Sequence, residues 1–490
     1  MVNYYQFMIP RLNGQEIKKR FSYYRALVKK GVAGFIVFGG ELGTVRSHIQ
    51  KLQDEAEVPL IISSDLERGL GQQLNGGTWF PPAMALAAAF KNWQGARGKG
   101  QGIRNATGFS LIRKSFKAVA LEARYAGINT IFAPVLDINT NPKNPIIAAR
   151  AFGEEPGIVS FLGTDMIRVL QKNGIAACGK HFPGHGDTAI DSHIKLPVLK
   201  QDMRRLMRYE LKPFMTAIDR GVRMIMLGHL SVPALDPSGT PVSFSEKAVQ
   251  FIRRTMGYDG ILITDALNMG GIGKFSEQEA SRLALEAGID ILLHPSDPDR
   301  MFAYLAKTHA PCAPGRLLRF RRRLTSRSDS AVPPFEQHRA LSGRLTEGAI
   351  SITGRCRIRG APLIVILNDE EEEKGGAFIR SMGKYFPGTR TFMLRPGFRQ
   401  PTIRKGPDEC MVIAIFSETK AWKGGASGWL QHQAAMFRKS ADLYISFGSP
   451  YLLNNLGRVP RICAFWDADQ AQDALPKVLK RHYAERSGSL

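Results

Sequence analysis

The sequence predicts an α/β protein in which a parallel (β/α)8 barrel is followed by a smaller α/β domain. Three observations carry this reading. Eight short apolar runs alternate with amphipathic segments over the first 300 residues. Polar residues follow most of those runs directly. After a stretch rich in Pro, Arg and Ser at 310–337, a second and shorter alternation begins. The expected organisation is a barrel over 1–325, a linker over 326–345 and an accessory α/β domain over 346–490.

The eight runs are 5–9, 34–38, 59–63, 130–136, 175–179, 223–227, 260–264 and 289–293. Between the first two, Ile17, Phe21, Tyr24, Leu27 and Val28 recur near the helical period. Before the last, Ser276 and Glu279 have the spacing of a capping box that opens a helix. An open doubly wound sheet would prefer fewer strands and a Gly-rich first turn, which is absent. Residues 79–121 exceed an ordinary connection. They read as one apolar helix at 83–90 and then a basic, Gly-rich loop, KNWQGARGKGQGIRNATG, beside the cleft. In the second domain the runs are 363–367, 391–394, 411–416, 443–447 and 462–465, with no dense polar constellation among them.

Composition limits the function classes. The chain has 490 residues, 44% hydrophobic and 22% charged, as an ordinary globular protein does. No run approaches the ~18 apolar residues of a membrane span. The N-terminal segment lacks a basic and then apolar leader, and the five cysteines are scattered without motif spacing. Reduced thiols in a cytoplasmic protein are therefore expected. A net charge of +24 raises the question of nucleic acid. The Lys and Arg residues are spread along the chain, however, and no zinc-finger, RNP-like or basic-heptad pattern accompanies them. A generally basic surface, compatible with an anionic small substrate and without nucleic-acid binding, is the expectation.

The densest chemistry lies in residues 179–197, GKHFPGHGDTAIDSHIKLP. Pro183, Gly184 and Gly186 forbid regular structure there, so the stretch is a loop after a strand end, rich in groups that exchange protons near neutral pH. A metal site would need ligand spacings such as HExxH or paired CxxC, and neither occurs, so no metal or cofactor is expected. Elsewhere Asp65, Asp137, His229, Asp265 and His294 also follow apolar runs. In a parallel barrel, such strand ends converge on one mouth.

The pattern K-H-F-P-G-H-G-D-T-x-x-D-S-H resembles the signature of family 3 glycoside hydrolases, in the β-N-acetylglucosaminidase branch that trims peptidoglycan fragments. YDGILITDALNMGGI is similar to that family's nucleophile segment. The resemblance implies Asp265 as the nucleophile, and His193 paired with Asp191 as the acid/base. His185 with Asp187 is the rival pair in the same loop. It further implies that Asp65, Arg150, Lys180 and His181 hold the sugar and that His229 lines the pocket. Two departures concern sugar recognition. Residue 151 is Ala where Ser is usual, and DLERGLGQQL has Leu70 and Gln73 at the family's arginine places. The implied activity is retaining, exo-acting removal of terminal N-acetylglucosamine from muropeptides, without cofactor, in cell-wall recycling. A phosphorylase or β-glucosidase of the same fold and a non-catalytic binder of wall fragments are the alternatives.

Overall fold

A computed structural model describes residues 2–95, 106–192, 194–355, 358, 360–369, 372–398, 400–417 and 427–487. The chain divides into two compact units. One comprises 1–79, 113–144 and 151–339, and the other 80–112, 145–150 and 340–490.

The first unit is built on parallel strands. They are β1 (Met8–Ile9 and Arg11–Asn13, interrupted at Pro10), β2 (Gly34–Phe38), β3 (Ile61–Ser64), β4 (Thr130–Ile131), β5 (Ala176–Phe182), β6 (Met224–Leu227), β7 (Ile261–Thr264) and β8 (Leu292–Leu293). Each of β2 to β7 hydrogen-bonds the strand before it. The ring closes where Met8 and Ile9 pair with Leu292 and Leu293, and where Ile263 bridges Ile291. Strands 3, 5, 6 and 7 are buried along their whole length. Continuous apolar runs suit a parallel strand covered on both faces.

Several expectations shift in detail. The run at 5–9 is mostly a 3-10 turn, Tyr4–Phe7, and the strand begins at Met8. Asn3 caps the turn through Tyr5 N, while Tyr4 Oη donates to Ala310 O (2.8 Å) and Tyr5 Oη to Asp299 (2.5 Å). These aromatic residues are anchors whose hydrophobicity mimics a strand. β5 runs on to Phe182, so Lys180 and His181 belong to the strand itself. Ser276 caps its helix by accepting from Glu279 N at 3.1 Å, but the Glu279 carboxylate turns to Arg282 and Tyr304. Half of the capping box is formed.

The segment after residue 79 needs a larger correction. It holds two helices, Ala83–Gly95 and Ala106–Tyr125, where a loop was expected to follow the first. In the second helix Phe116, Val119, Ala120 and Ala123 are buried at helical spacing, a stripe obscured by the basic, Gly-rich text before it. Residues 96–105 lie outside the described residues. Met84, Ala85 and Ala89 of the first helix pack into a core with Leu363, Val365 and Leu367, so this helix is part of the second unit.

That unit is centred on a six-stranded sheet, β9 (Ser351–Thr353), β10 (Ala361–Asn368), β11 (Arg390–Leu394), β12 (Glu409–Ser417), β13 (Leu443–Gly448) and β14 (Arg461–Cys463), in the order β9-β14-β13-β12-β10-β11. All pairs are parallel except β9 with β14. The short edge strand β9 is too polar to stand out in the sequence. Alternate residues of β10 and β12 feed two apolar cores, one on each face of the sheet. The helix Phe335–Ala349 crosses the stretch read as a linker. Among the described residues no helix is long and apolar enough to cross a membrane, and Cys178, Cys312 and Cys463 are free thiols.

Candidate active site

Lys180, on β5, points its ammonium between two carboxylates supplied by the loop after β3. Nζ lies 2.6 Å from Asp65 Oδ1 and 2.6 Å from Glu67 Oε1, and the lysine side chain is only 3% exposed. A buried ammonium needs such partners, and it lets two carboxylates share a small volume. Glu67 was not anticipated. Its only signal in the sequence is the two-residue step from Asp65 across buried Leu66.

The next residue of β5, His181, belongs to a second cluster. Asp137, fully buried after β4, accepts from His181 Nδ1 (2.7 Å), His181 N (3.2 Å) and His185 N (2.6 Å). Burial alone would raise the Asp137 pKa. The charge and hydrogen bond of His181, together with His185, outweigh it and hold the carboxyl below its ordinary value. Asp137 is thus an acceptor only, which fixes the His181 proton on Nδ1 and turns Nε2 away from it. The sequence marked Asp137 as a strand-end residue without a role. The structure makes it the anchor of the histidine pair.

The loop of the rival pair is a scaffold. His185 Nδ1 meets Thr188 Oγ1 at 2.8 Å, not Asp187. Asp187 accepts from Thr140 Oγ1 (2.9 Å) and Gln201 Nε2 (2.5 Å), while Asn144 ties down the carbonyls of His185 and Thr188. Gly186 permits this close folding, since a Cβ there would stand 1.8 Å from Ile138 O. His185 and Asp187 do not form a dyad.

Asp265 follows β7, with its Oδ1 accepting from Ala266 N at 2.8 Å. The Ala266 carbonyl accepts from His229 Nε2 (3.0 Å), and His229 Nδ1 meets Ser243 Oγ at 2.6 Å. Since a carbonyl can only accept, Nε2 carries the proton and the Ser243 hydroxyl donates to Nδ1. Both faces of this fully buried ring therefore brace the turn that carries Asp265. Gly271 joins the same turn to the 179–197 loop, for a Cβ on it would fall 2.6 Å from Ser192 O and 2.8 Å from His229 Cβ. Cys178, two residues before Lys180, links the clusters electrostatically. Burial raises its thiol pKa, Lys180 opposes the rise, and Asp65 and Asp265 add to it. Asp65 and Asp265 directly follow β3 and β7, and Lys180 lies near the end of β5, so all three stand at one mouth of the barrel.

The "Glycosyl hydrolase family 3 N terminal domain" model matches residues 6–310. The chain belongs to glycosyl hydrolase family 3. Among its relatives, beta-hexosaminidase A of Pseudoalteromonas piscicida is 34% identical over 52% of this chain and 44% of that protein. The beta-hexosaminidase of Thiobacillus denitrificans is 34% identical over 53% of this chain and 70% of that protein. The chain thus spans less than half of the first relative and somewhat more than two thirds of the second. A glycoside hydrolase family 3 beta-N-acetylglucosaminidase from Paenibacillus sp. str. FPU-7 superposes with a TM-score of 0.79 at 27% identity, covering 98% of this chain and 96% of that one. Both the barrel and the second α/β unit are therefore shared with a solved family 3 structure.

Against the family 3 signature, His193 lies outside the described residues. Asp191 is buried, and its carbonyl accepts from Ile194 N (3.0 Å) and Lys195 N (3.1 Å). Arg150 ends a 3-10 turn in the second unit, where Nη1 donates to Ile146 O at 3.0 Å. Of the two departures from the family's arginines, Leu70 is a core residue, and Gln73 Nε2 donates to the Asp65 carbonyl at 3.4 Å. Arg68, in the same loop, stacks 4.9 Å from the half-exposed Trp79 ring. Among the described residues no cluster of three His, Cys, Asp or Glu side chains is arranged to hold a metal ion.

Proposed function

We propose that the protein is a retaining, exo-acting β-N-acetylglucosaminidase. The observation that carries the reading is the Lys180–Asp65–Glu67 cluster at the mouth of a family 3 barrel, the end at which Asp265 follows β7. Carboxylates in fixed positions and His181 Nε2 accept hydrogen bonds from the hydroxyls of a terminal sugar, and the lysine donates to its oxygens. Arg150 is a further sugar contact in this reading. Asp265 attacks the anomeric carbon, and the glycosidic oxygen leaves with a proton from His193, whose imidazolium Asp191 favours and orients. Water, deprotonated by the same histidine, then releases the sugar with its configuration retained. His229 works indirectly, by bracing the Asp265 turn through the Ala266 carbonyl.

The names of the curated relatives favour N-acetylhexosamine as the sugar. The physiological substrate in this proposal is a peptidoglycan fragment, handled in the cytoplasm during wall recycling. The test is to assay a chromogenic N-acetylglucosaminide beside the matching glucoside, with and without phosphate, and to follow the product anomer by NMR. Faster cleavage of the glucoside, accumulation of a sugar 1-phosphate, or an α-anomer as first product would each overturn the assignment. Equal rates on purified muropeptides and on chitobiose would remove the wall-fragment preference.

A further inference from the structure

A second cavity, of about 430 Å3, opens at the end of the barrel opposite the catalytic mouth. It lies where Arg223 leads into β6 and Gly260 into β7, under the helix Gly315–Arg321. Its wall carries four arginines, Arg223, Arg316, Arg319 and Arg323, with Phe320 and Leu324 as an apolar side. Arg316 is already neutralised, by Asp259 at 3.0 Å and by Asp290 at 3.1 Å. Asp290 is shared with Arg253 at 2.8 Å. Among the described residues no carboxylate forms an ion pair with Arg223, Arg319 or Arg323. The repulsion is felt locally, because the Arg223 pKa is lowered, first by burial and then by the charge of Arg323.

Like charges held around one concavity raise the free energy of the empty site, and an anion that enters lowers it. Guanidinium forks suit the oxygens of a tetrahedral dianion, which can bond to several of them at once. The space exceeds what a bare phosphate fills, and Phe320 and Leu324 offer an apolar wall to the remainder of a ligand. A concave pocket of this size admits a small molecule, whereas nucleic acid would require a row of cations along a surface. We propose that this basal cavity binds an organic phosphate, with the phosphoryl group on Arg223, Arg319 and Arg323 and the organic body against Phe320 and Leu324.

Titration calorimetry on the full chain, at fixed low salt, tests the proposal with inorganic phosphate, N-acetylglucosamine 6-phosphate and AMP as probes. At least one organic phosphate is expected to bind about tenfold more tightly than inorganic phosphate, and the preference between the two separates a sugar source from a nucleotide source. Arg223→Ala with Arg323→Ala should weaken that binding at least ~10-fold while leaving chromogenic hydrolysis in the absence of phosphate unchanged. Should the double variant fail to fold, Arg319→Gln, at an exposed position, should still weaken binding several-fold. No binding by any probe, undiminished binding in a folded variant, or equal affinity for inorganic phosphate would overturn the proposal.

Discussion

Lowering the pH should destabilise this protein through one buried histidine. His185 is 1% exposed, and its Nε2 is a buried atom with no hydrogen-bond partner. Burial lowers its pKa to about 4, against the pull of Asp137 and Asp265 and with the push of His181. Unfolded, the imidazole titrates near its ordinary ~6.5. Between those values the unfolded chain binds a proton that the folded chain refuses, so stability falls as the pH falls. The gap amounts to about 3 kcal/mol once complete, and to about 2 kcal/mol at pH 5. His294, also lowered to about 4, first by burial and then by Arg11 against Asp65, adds a similar loss, smaller for its partial exposure. Asp137 acts in another window. Its carboxyl is held below the ordinary value, so its contribution persists through this range and is lost only as the pH falls further, through the folded pKa. Denaturant unfolding at pH 7 and pH 5 should therefore show a loss of up to ~4 kcal/mol from the two histidines, with about half of it absent in His185→Gln. The comparison is of the pH-dependent loss in each protein, so any packing defect in the variant cancels. An equal loss in both proteins would refute a neutral, buried His185.

Asp265→Ala should fold normally and lose at least ~10³-fold in kcat, because covalent catalysis and charge stabilisation go together. Near-normal turnover in the folded variant would reassign the nucleophile. His193→Ala should lose about 10²- to 10⁴-fold on a disaccharide but far less in forming the glycosyl-enzyme from a nitrophenyl glycoside. That substrate should show an initial burst, slow turnover and partial rescue by azide, whereas equal losses without a burst would leave the histidine only a binding role. His229→Asn should lower kcat with little change in KM, since the ring braces the Asp265 turn, and a rise in KM alone would instead indicate a direct sugar contact. Gly271→Ala places a methyl 2.6 Å from Ser192 O, so the 179–197 loop must shift. A cost of about 1–3 kcal/mol in stability and a marked fall in disaccharide hydrolysis should follow, and an unchanged enzyme would mean that the loop rests elsewhere.

The sequence by itself determined the parallel barrel, the second α/β unit and the strand ends that carry Asp65, Lys180, His181 and Asp265. Eight buried strands leave eight apolar runs in the text, and parallel topology sends every strand's C-terminal end to one mouth. Signals failed where the local text contradicted its surroundings. Tyr4–Phe7 is apolar because its rings are anchors, and the Ala106–Tyr125 helix is prefaced by a basic glycine-rich tract. Only the tertiary structure decided what each polar group does. Glu67 joins Lys180 and Asp137 binds the histidine pair because β3, β4 and β5 are neighbours in the ring, although Asp65 and Lys180 are 115 residues apart in the chain. His229 was legible as a strand-end histidine, but its commitment to Ser243 and Ala266 depends on which carbonyl and hydroxyl the fold brings against its two nitrogens. Spacing along a chain encodes which face a residue occupies, whereas hydrogen bonds across strands are made by register and closure, which no local pattern records.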